Sequence, residues 1–474
     1  MAAADEAVDV NQVQPRIQEN HLQSSVREKD GSADSDSLGS KDTESHKLFR
    51  HGGAVPSAIC LSKAALGAGM LSISSHCAEV GLLYTTLALM IGAILTLISI
   101  RMISTASIHA SCWSYEDICE ELFHPAMSLF TGFINVCNCL GSSAGYLIVC
   151  GQVFQVLTGA SRQMVQLFIV IVGTCICMPL SLAKHVSFMR YLAMISVLAL
   201  LLVVVVVIVV FGRDGPDQTV DPDTIMFGMA ADNSLGSGSM AVFAYMNSFN
   251  NVVFAYNNQF NVPQVTGELT PAPGLKRASW VGLISTGLCF SIYLTVSVFG
   301  LLAFGVGENQ KESLILSLLP AGQDHATDPL LILSLIAVMF SVLTCLQFHI
   351  FPVRQFAAYA FRKYRSRDRD EPDVVWAGIP LTRWLDIGSA LLAVILVILI
   401  AVVVSSLRAI LDFVGAFAAA YISYVVPPLW IIQIRRSQPG FSWFSREICG
   451  CLAVFALGMF FFLFGTFTAI AGNK

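Results

Sequence analysis

A short stretch of the chain combines polar carboxamide side chains with apolar surroundings. Residues 246–264 read MNSFNNVVFAYNNQFNVPQ and belong to an apolar run long enough to cross a lipid bilayer. The amides in this stretch are Asn247, Asn250, Asn251, Asn257, Asn258, Gln259, Asn261 and Gln264. An amide in hydrocarbon costs free energy unless it meets a partner or water. This density of amides predicts a polar cavity at membrane depth; the alternative is that the amides join neighbouring helices by hydrogen bonds.

A second stretch, LSKAALGAGMLSIS at residues 61–74, predicts a matching weak point in an earlier apolar segment. Gly67 and Gly69 weaken a helix near its middle. Broken helices are tolerated inside a membrane where they line a cavity, and their ends offer N–H groups to a carboxylate and C=O groups to an ammonium. We therefore expect a zwitterionic substrate to bind between the two breaks. The predicted substrate-binding residues are Gly67, Ala68, Gly69, Met70, Asn247, Asn251, Phe254, Ala255, Asn257 and Asn258.

Two ionisable side chains within the predicted spans are candidates for coupling or gating. Lys63 lies four residues before Gly67. A buried ammonium is costly unless it is paired or deprotonated, so Lys63 occupies space that a sodium ion would need, supplies a fixed positive charge, or extends to the membrane interface. Asp412 lies four residues after Arg408. One interpretation is that Asp412 is half of a surface ion pair with Arg408. The other is that it acts as an outer gate or as a counter-ion for a cationic substrate.

The composition is that of an integral membrane protein. Of 474 residues, 55% are hydrophobic and only 12% are charged, whereas soluble domains contain about 25% charged residues. The formal net charge of −5 argues against a nucleic-acid partner. The cysteines lack metal-ligand spacing, and the spans contain neither a His-Glu-x-x-His motif nor paired catalytic carboxylates. These absences argue against a metal site and against an enzyme.

Apolar segments of about 20 residues predict an all-α protein with about eleven transmembrane helices. The predicted spans are 54–76, 80–100, 126–157, 165–182, 189–211, 239–265, 280–304, 330–359, 384–404, 410–432 and 448–470. The breaks fall in the first and sixth spans, as expected for a five-plus-five inverted repeat that holds its substrate between them. Residues 54–211 would form the first repeat, residues 239–432 the second, and residues 448–470 an extra helix. The polar residues 1–50 predict a disordered tail before the transporter domain at 51–474.

The loop charges predict the orientation. If the tail is cytosolic, most loop lysines and arginines fall on the cytosolic side, as the positive-inside rule requires. The N-terminus is then cytosolic and the C-terminus outside. On the inner surface, Ser114–Pro125 is predicted to contain a short helix capped by Ser114.

Four motifs in order resemble the amino acid/auxin permease family of secondary transporters. They are LSKAALGAGMLSIS in the first span, SYEDICEELF after the second, FAYNNQFNVPQVTGEL in the sixth and LTCLQFHIFPVR in the eighth. The long polar tail and the Asn-rich sixth span look most like the amino acid permeases of trypanosomatids. The resemblance implies a LeuT-like fold, amino acid substrates and a proton or sodium ion for coupling. Sodium-coupled relatives often carry Asn where this chain has Lys63. Ser74 replaces a proline common in the family, and the sixth-span histidine of many members is not evident.

The main functional hypothesis is a permease in the plasma membrane that takes up amino acids by alternating access, coupled to protons or driven by the membrane potential. An acidic outer loop at 214–232 and Asp412 favour cationic substrates such as arginine or lysine. We expect no cofactor, and no partner besides the substrate and the membrane lipids. The alternative is an amino acid sensor of the same fold that signals through the N-terminal tail.

Overall fold

The computed structural model describes residues 53–182, 186–215, 222–228, 238–305, 313–319, 325–365, 375–376, 379–404 and 406–472. The predicted disordered tail at 1–50 lies outside these residues, as do residues 216–221 and 229–232 of the acidic loop. Within the described part, the chain is a bundle of long apolar helices, together with one antiparallel pair of two-residue strands. The predicted all-α membrane fold is confirmed.

The helices are numbered here in chain order, and three of them contain a π-helical turn. Their bounds are α1 Ala54–Ala65, α2 Ala68–Ala110, α3 Tyr115–Leu122, α4 Pro125–Thr158, α5 Arg162–Ser181, α6 Val186–Asp214, α7 Pro222–Phe227, α8 Gly238–Ala255, α9 Val262–Gly267, α10 Leu275–Phe304, α11 Leu314–Ser317, α12 Pro329–Arg365, α13 Leu381–Val403, α14 Leu407–Arg436 and α15 Arg446–Ala471. The strands β1 Val375–Trp376 and β2 Ile379–Pro380 lie between α12 and α13.

Nine helices among the described residues are long and apolar enough to cross a membrane. They account for the predicted spans two to five and seven to eleven. The first predicted span is instead divided between α1 and the first part of α2, and the sixth between α8 and α9, because each contains a break. The total of eleven crossings, the two repeats and the extra helix stay predictions.

The first and second predicted spans are joined without a loop. They meet inside α2 at Gly81, which has a φ of 80°. This left-handed backbone region suits glycine, and a Cβ atom at Gly81 would also collide with the backbone of residues 226–228. Gly81 therefore permits a sharp kink that turns the chain back into the bundle against α7.

The predicted short helix between the second and third spans is confirmed as α3. Ser114 has an extended backbone, and its Oγ accepts a hydrogen bond of 3.1 Å from the N–H of Asp117. The Ser114 hydroxyl in turn donates to the Asp117 carboxylate over 2.7 Å. The reciprocal bonds resemble a capping box and fix where α3 begins.

Candidate substrate site between the two broken helices

The first break separates α1 from α2. α1 ends at Ala65, Leu66 and Gly67 are non-helical, and α2 begins at Ala68. The last C=O groups of α1 and the first N–H groups of α2 therefore lack partners within their own helices. The predicted interruption at Gly67 is confirmed.

The second break separates α8 from α9. α8 ends at Ala255, and a single 3₁₀ turn at Gln259–Asn261 precedes α9. The intervening Asn257 and Asn258 have no regular structure and are buried. Pro263 lies in the first turn of α9, where its missing N–H would have no helical acceptor in any case.

The two breaks are in direct contact. A Cβ atom placed on Gly69 would lie 2.8 Å from Cα of Ala255 and 3.2 Å from the ring of Phe254. One turn along α2, the Ser72 hydroxyl donates to Oδ1 of Asn251 over 2.8 Å. The absence of a side chain at Gly69 therefore lets α2 approach the end of α8 at backbone distance.

Two tyrosines enclose the breaks from neighbouring helices. The Tyr293 hydroxyl on α10 lies 2.6 Å from the carbonyl oxygen of Ala255 and 3.1 Å from that of Ala65. Its single proton can be donated to either helix end. On the other side, a Cβ atom at Gly67 would lie 2.6 Å from the ring of Tyr146 on α4. Tyr293 thus joins the C-terminal ends of α1 and α8.

Some of the amides join helices, as the alternative interpretation of the sequence proposed. Nδ2 of Asn257 donates to Oδ1 of Asn138 on α4 over 2.7 Å. Nδ2 of Asn250 donates to the carbonyl oxygen of Gly465 on α15 over 3.1 Å. Asn247 also faces α15, because its Nδ2 lies 3.0 Å from where a Cβ of Gly472 would be. Asn247 is therefore the predicted binding residue that lies apart from the breaks.

Other amide groups near the breaks are buried with no hydrogen-bond partner among the described residues. They are Nδ2 of Asn251, both polar atoms of the Asn258 side chain, Nε2 of Gln259 and Nδ2 of Asn261. Buried polar groups in native proteins are nearly always paired, so each such group calls for water or a ligand. Ala68 and Met70 are also fully buried next to the first break.

Lys63 is buried beside the first break and is hydrogen-bonded. Its Nζ donates to the carbonyl oxygen of Ser341 on α12 over 3.0 Å and also to the Ser341 hydroxyl. The Ser341 hydroxyl in turn lies 3.2 Å from the carbonyl oxygen of Ser196 on α6. Lys63 is 0% exposed, so the interpretation that it extends to the membrane interface is wrong. Its amino group connects α1 to the α12–α6 pair.

Asp412 belongs to a charged cluster between α2 and α14, at the end of the bundle predicted to face outward. Its Oδ1 lies 3.3 Å from Nε2 of His76, and its Oδ2 lies 3.8 Å from Nε of Arg408. Arg408 also pairs through both terminal nitrogens with the Glu79 carboxylate. The i,i+4 pair with Arg408 is present, but Asp412 is 0% exposed, so it is not a surface pair.

Sequence reasoning missed several residues that contact the breaks or Asp412. Asn138 and His76 are polar side chains in apolar segments, which is the signal that identified Asn257, so the same rule could have found them. Tyr146 and Tyr293 carried no such signal, because tyrosine is also common as a packing residue in membrane helices.

The part of the chain that the structure describes contains no cluster of three or more His, Cys, Asp or Glu side chains that could hold a metal ion. The described polar groups at the breaks are amides, hydroxyls and backbone groups, with the Lys63 amino group beside the first break. These suit a ligand that carries both a carboxylate and an ammonium.

The fold is similar to those of solved transporters. Two mutant crystal structures of the manganese transporter of Eremococcus coleocola match with TM-scores of 0.55 and 0.53, at 13% and 12% sequence identity. Each match covers 92% of this chain and 88% of the other. At this identity the likeness concerns the fold alone.

The sequence itself matches a family of known proteins over almost its whole length. The profile of the family described as transmembrane amino acid transporter protein matches residues 50–470. This range contains both breaks, Lys63 and the Asp412 cluster. The chain therefore belongs to the transmembrane amino acid transporter protein family.

Proposed function

We propose that this protein is a secondary active transporter that accumulates amino acids across the plasma membrane by alternating access. The proposal depends above all on unpartnered polar atoms beside two helix breaks that are in contact, namely the amide nitrogens of Asn251 and Gln259 and both polar side-chain atoms of Asn258. The first N–H groups of α2 would bind the substrate carboxylate, and carbonyl groups at the ends of α1 and α8 would bind its ammonium. Rocking of α1 and α8 against the other helices would then expose the site to each side in turn.

We propose further that the driving force is a proton gradient or the membrane potential rather than sodium. In support, the Lys63 side chain is fully buried, and its amino group is hydrogen-bonded to Ser341 between α1 and α12. It therefore occupies space beside the first break that a sodium ion would need. For a cationic substrate, each charge moved inward gains about 2.3 kcal/mol per 100 mV, or roughly a fiftyfold concentration ratio.

A preference for arginine or lysine is the finer part of the proposal. Asp412 is a fully buried carboxylate that contacts cationic or titratable groups, so it is suited to meet a cationic side chain. Competition by the twenty amino acids for uptake of labelled arginine tests this preference. Equal competition by neutral amino acids would contradict it.

Replacing Asp412 by asparagine should lower uptake by at least about tenfold. The substitution removes the carboxylate that faces both His76 and Arg408, while the pair of Arg408 with Glu79 remains. Uptake of labelled amino acid into cells, normalised to surface expression, measures the effect. The matched control is Asp328→Asn, because Asp328 forms an exposed pair with Arg213 that should contribute little. Equal uptake by the two variants would contradict a gating role for Asp412.

The transport proposal is tested with purified protein in proteoliposomes. Labelled amino acid should accumulate when an inward proton gradient or an inside-negative potential is imposed, with or without sodium. Accumulation that requires sodium and ignores both the proton gradient and the potential would overturn the coupling proposal. Absence of any amino acid uptake or exchange would overturn the transport proposal itself.

A further inference from the structure

The short helix α3, at the predicted cytosolic end of the bundle, carries a buried carboxyl group that the transport site does not use. The Glu116 side chain is 4% exposed, and its Oε1 has no hydrogen-bond partner within the described residues. It points toward α4, because its Cγ lies 3.1 Å from where a Cβ atom of Gly132 would be. An acid in this position is unusual, since buried carboxylates are normally paired or neutral.

The other groups around Glu116 do not neutralise its charge. The neighbouring titratable side chains are Asp117, Tyr115 and Cys119 on α3 and Cys139 on α4. The part of the chain that is described contains no lysine or arginine paired with Glu116. Burial raises the pKa of Glu116 to about 7, and Asp117 adds to the rise, while Asn135 and Ser114 oppose it. The carboxyl group therefore changes its protonation state near the pH of a cytosol.

α3 is docked on three long helices by contacts on either side of Glu116. The Tyr115 ring packs on Trp430 of α14 with ring centroids 4.8 Å apart, and the Ser128 hydroxyl of α4 donates to the Glu116 carbonyl over 2.7 Å. Glu120 bonds both Lys363 and Tyr359 of α12. These two bonds hold the pKa of Glu120 below its usual value, so Glu120 stays ionised while Glu116 titrates.

The α3 connection also reaches the broken helix α8–α9. Trp113, two residues before α3, packs on the end of α9, where a Cβ atom at Gly267 would lie 2.6 Å from the Trp113 ring. If α9 moves when the inner end of the site opens, the contact with Trp113 must break and α3 must leave its docked position. α3 is therefore placed to oppose inward opening as long as it remains docked.

We propose that Glu116 is a proton-binding site that keeps α3 docked when it is protonated, and that its ionisation favours undocking of α3 and opening of the inner end. The effect on transport rests on the proposed alternating-access function, whereas the proton site itself does not. In the undocked state the carboxyl group is hydrated and has an ordinary pKa, so the docked state binds the proton more tightly. Rising pH then shifts the equilibrium toward undocking by about tenfold per pH unit between about pH 4.5 and 7, and no further above this range.

Hydrogen exchange of the full-length protein in lipid nanodiscs tests this site without any amino acid present. After correction for intrinsic exchange, amide protection of residues 115–122 should fall by about tenfold per pH unit from about pH 5 to 7 and then level off. In E116Q, which keeps the size of the side chain and removes the charge, protection should be high and independent of pH. E121Q is the matched control, because Glu121 is exposed on the same helix; it should behave as the wild type.

If E116Q is poorly produced, the dependence of wild-type protection on pH is sufficient to decide the proposal. A flat wild-type profile would overturn the proposal, and so would a pH slope that persists in E116Q. Because the measurement needs neither substrate nor a gradient, a failure of the proton site is distinguished from a failure of the transport function, which appears only in the uptake assay.

Discussion

Gly69→Ala should lower amino acid uptake by about tenfold to a hundredfold while the protein still reaches the membrane. The added methyl group would lie 2.8 Å from Cα and 3.0 Å from Cβ of Ala255. Because the main obstacle is backbone, no rotation of a side chain relieves the clash, and α2 must move away from the end of α8. The helix ends that are proposed to bind the substrate would then separate. Uptake of labelled amino acid, normalised to surface expression, measures the loss.

Gly287→Ala is the matched control for this substitution. Gly287 lies in the interior of α10, and a Cβ atom there would meet no atom within 4 Å. Alanine also has the higher helix propensity, so Gly287→Ala should leave uptake unchanged. If Gly69→Ala transported as well as Gly287→Ala, the close contact of the two breaks would have no role in binding or transport.

Replacing Lys63 by methionine should reduce accumulation by about tenfold to a hundredfold. Methionine approximates the volume of the lysine stem, but it removes an amino group that donates to both the carbonyl and the hydroxyl of Ser341. A buried hydrogen bond contributes about 0.5–1.5 kcal/mol, so the loss of both would weaken the contact between α1 and α12 considerably. The measurement is accumulation in proteoliposomes under an imposed proton gradient.

Lys276→Met controls for the loss of a lysine in general. Lys276 is exposed at the start of α10, and its replacement should leave accumulation unchanged. If Lys63→Met accumulated amino acid at the wild-type level, Lys63 would no longer support sodium-independent coupling. The same would hold if Lys276→Met lost as much accumulation as Lys63→Met.

The positions of the helix breaks could be predicted because they depend on local chemistry. Gly67 and Gly69 weaken a helix wherever they occur, and the amides around Asn257 compete with helical hydrogen bonding. The same local reasoning identified Ser114 as the cap of α3. These features were found without knowledge of any neighbouring helix.

The partners of individual amides could not be predicted, because they depend on tertiary packing. Asn250 and Asn251 are adjacent in sequence, yet successive residues point about 100° apart around a helix. Asn251 therefore meets Ser72 on α2, whereas Asn250 meets the backbone of α15. The sequence of α8 does not indicate which of its sides faces which helix. The prediction therefore places Asn247 in the substrate site, whereas in the structure it faces α15.

The burial of charged residues was also beyond sequence reasoning. For Lys63 and for Asp412, an exposed and a buried position fitted the sequence equally well. Spacing alone does not say whether a side chain meets lipid, water or protein. Contacts from distant parts of the chain decided the matter, with Ser341 beside Lys63 and His76 beside Asp412.

The central claim is that the two breaks together bind one amino acid, and an experimental structure with a transported amino acid bound tests it most directly. We predict density for the ligand between residues 66–70 and 255–259, with its carboxylate at the first N–H groups of α2. We also predict that at least one of the Asn251, Asn258 and Gln259 amides forms a hydrogen bond to the ligand. A bound amino acid located elsewhere, with α1–α2 and α8–α9 forming continuous helices, would contradict the account.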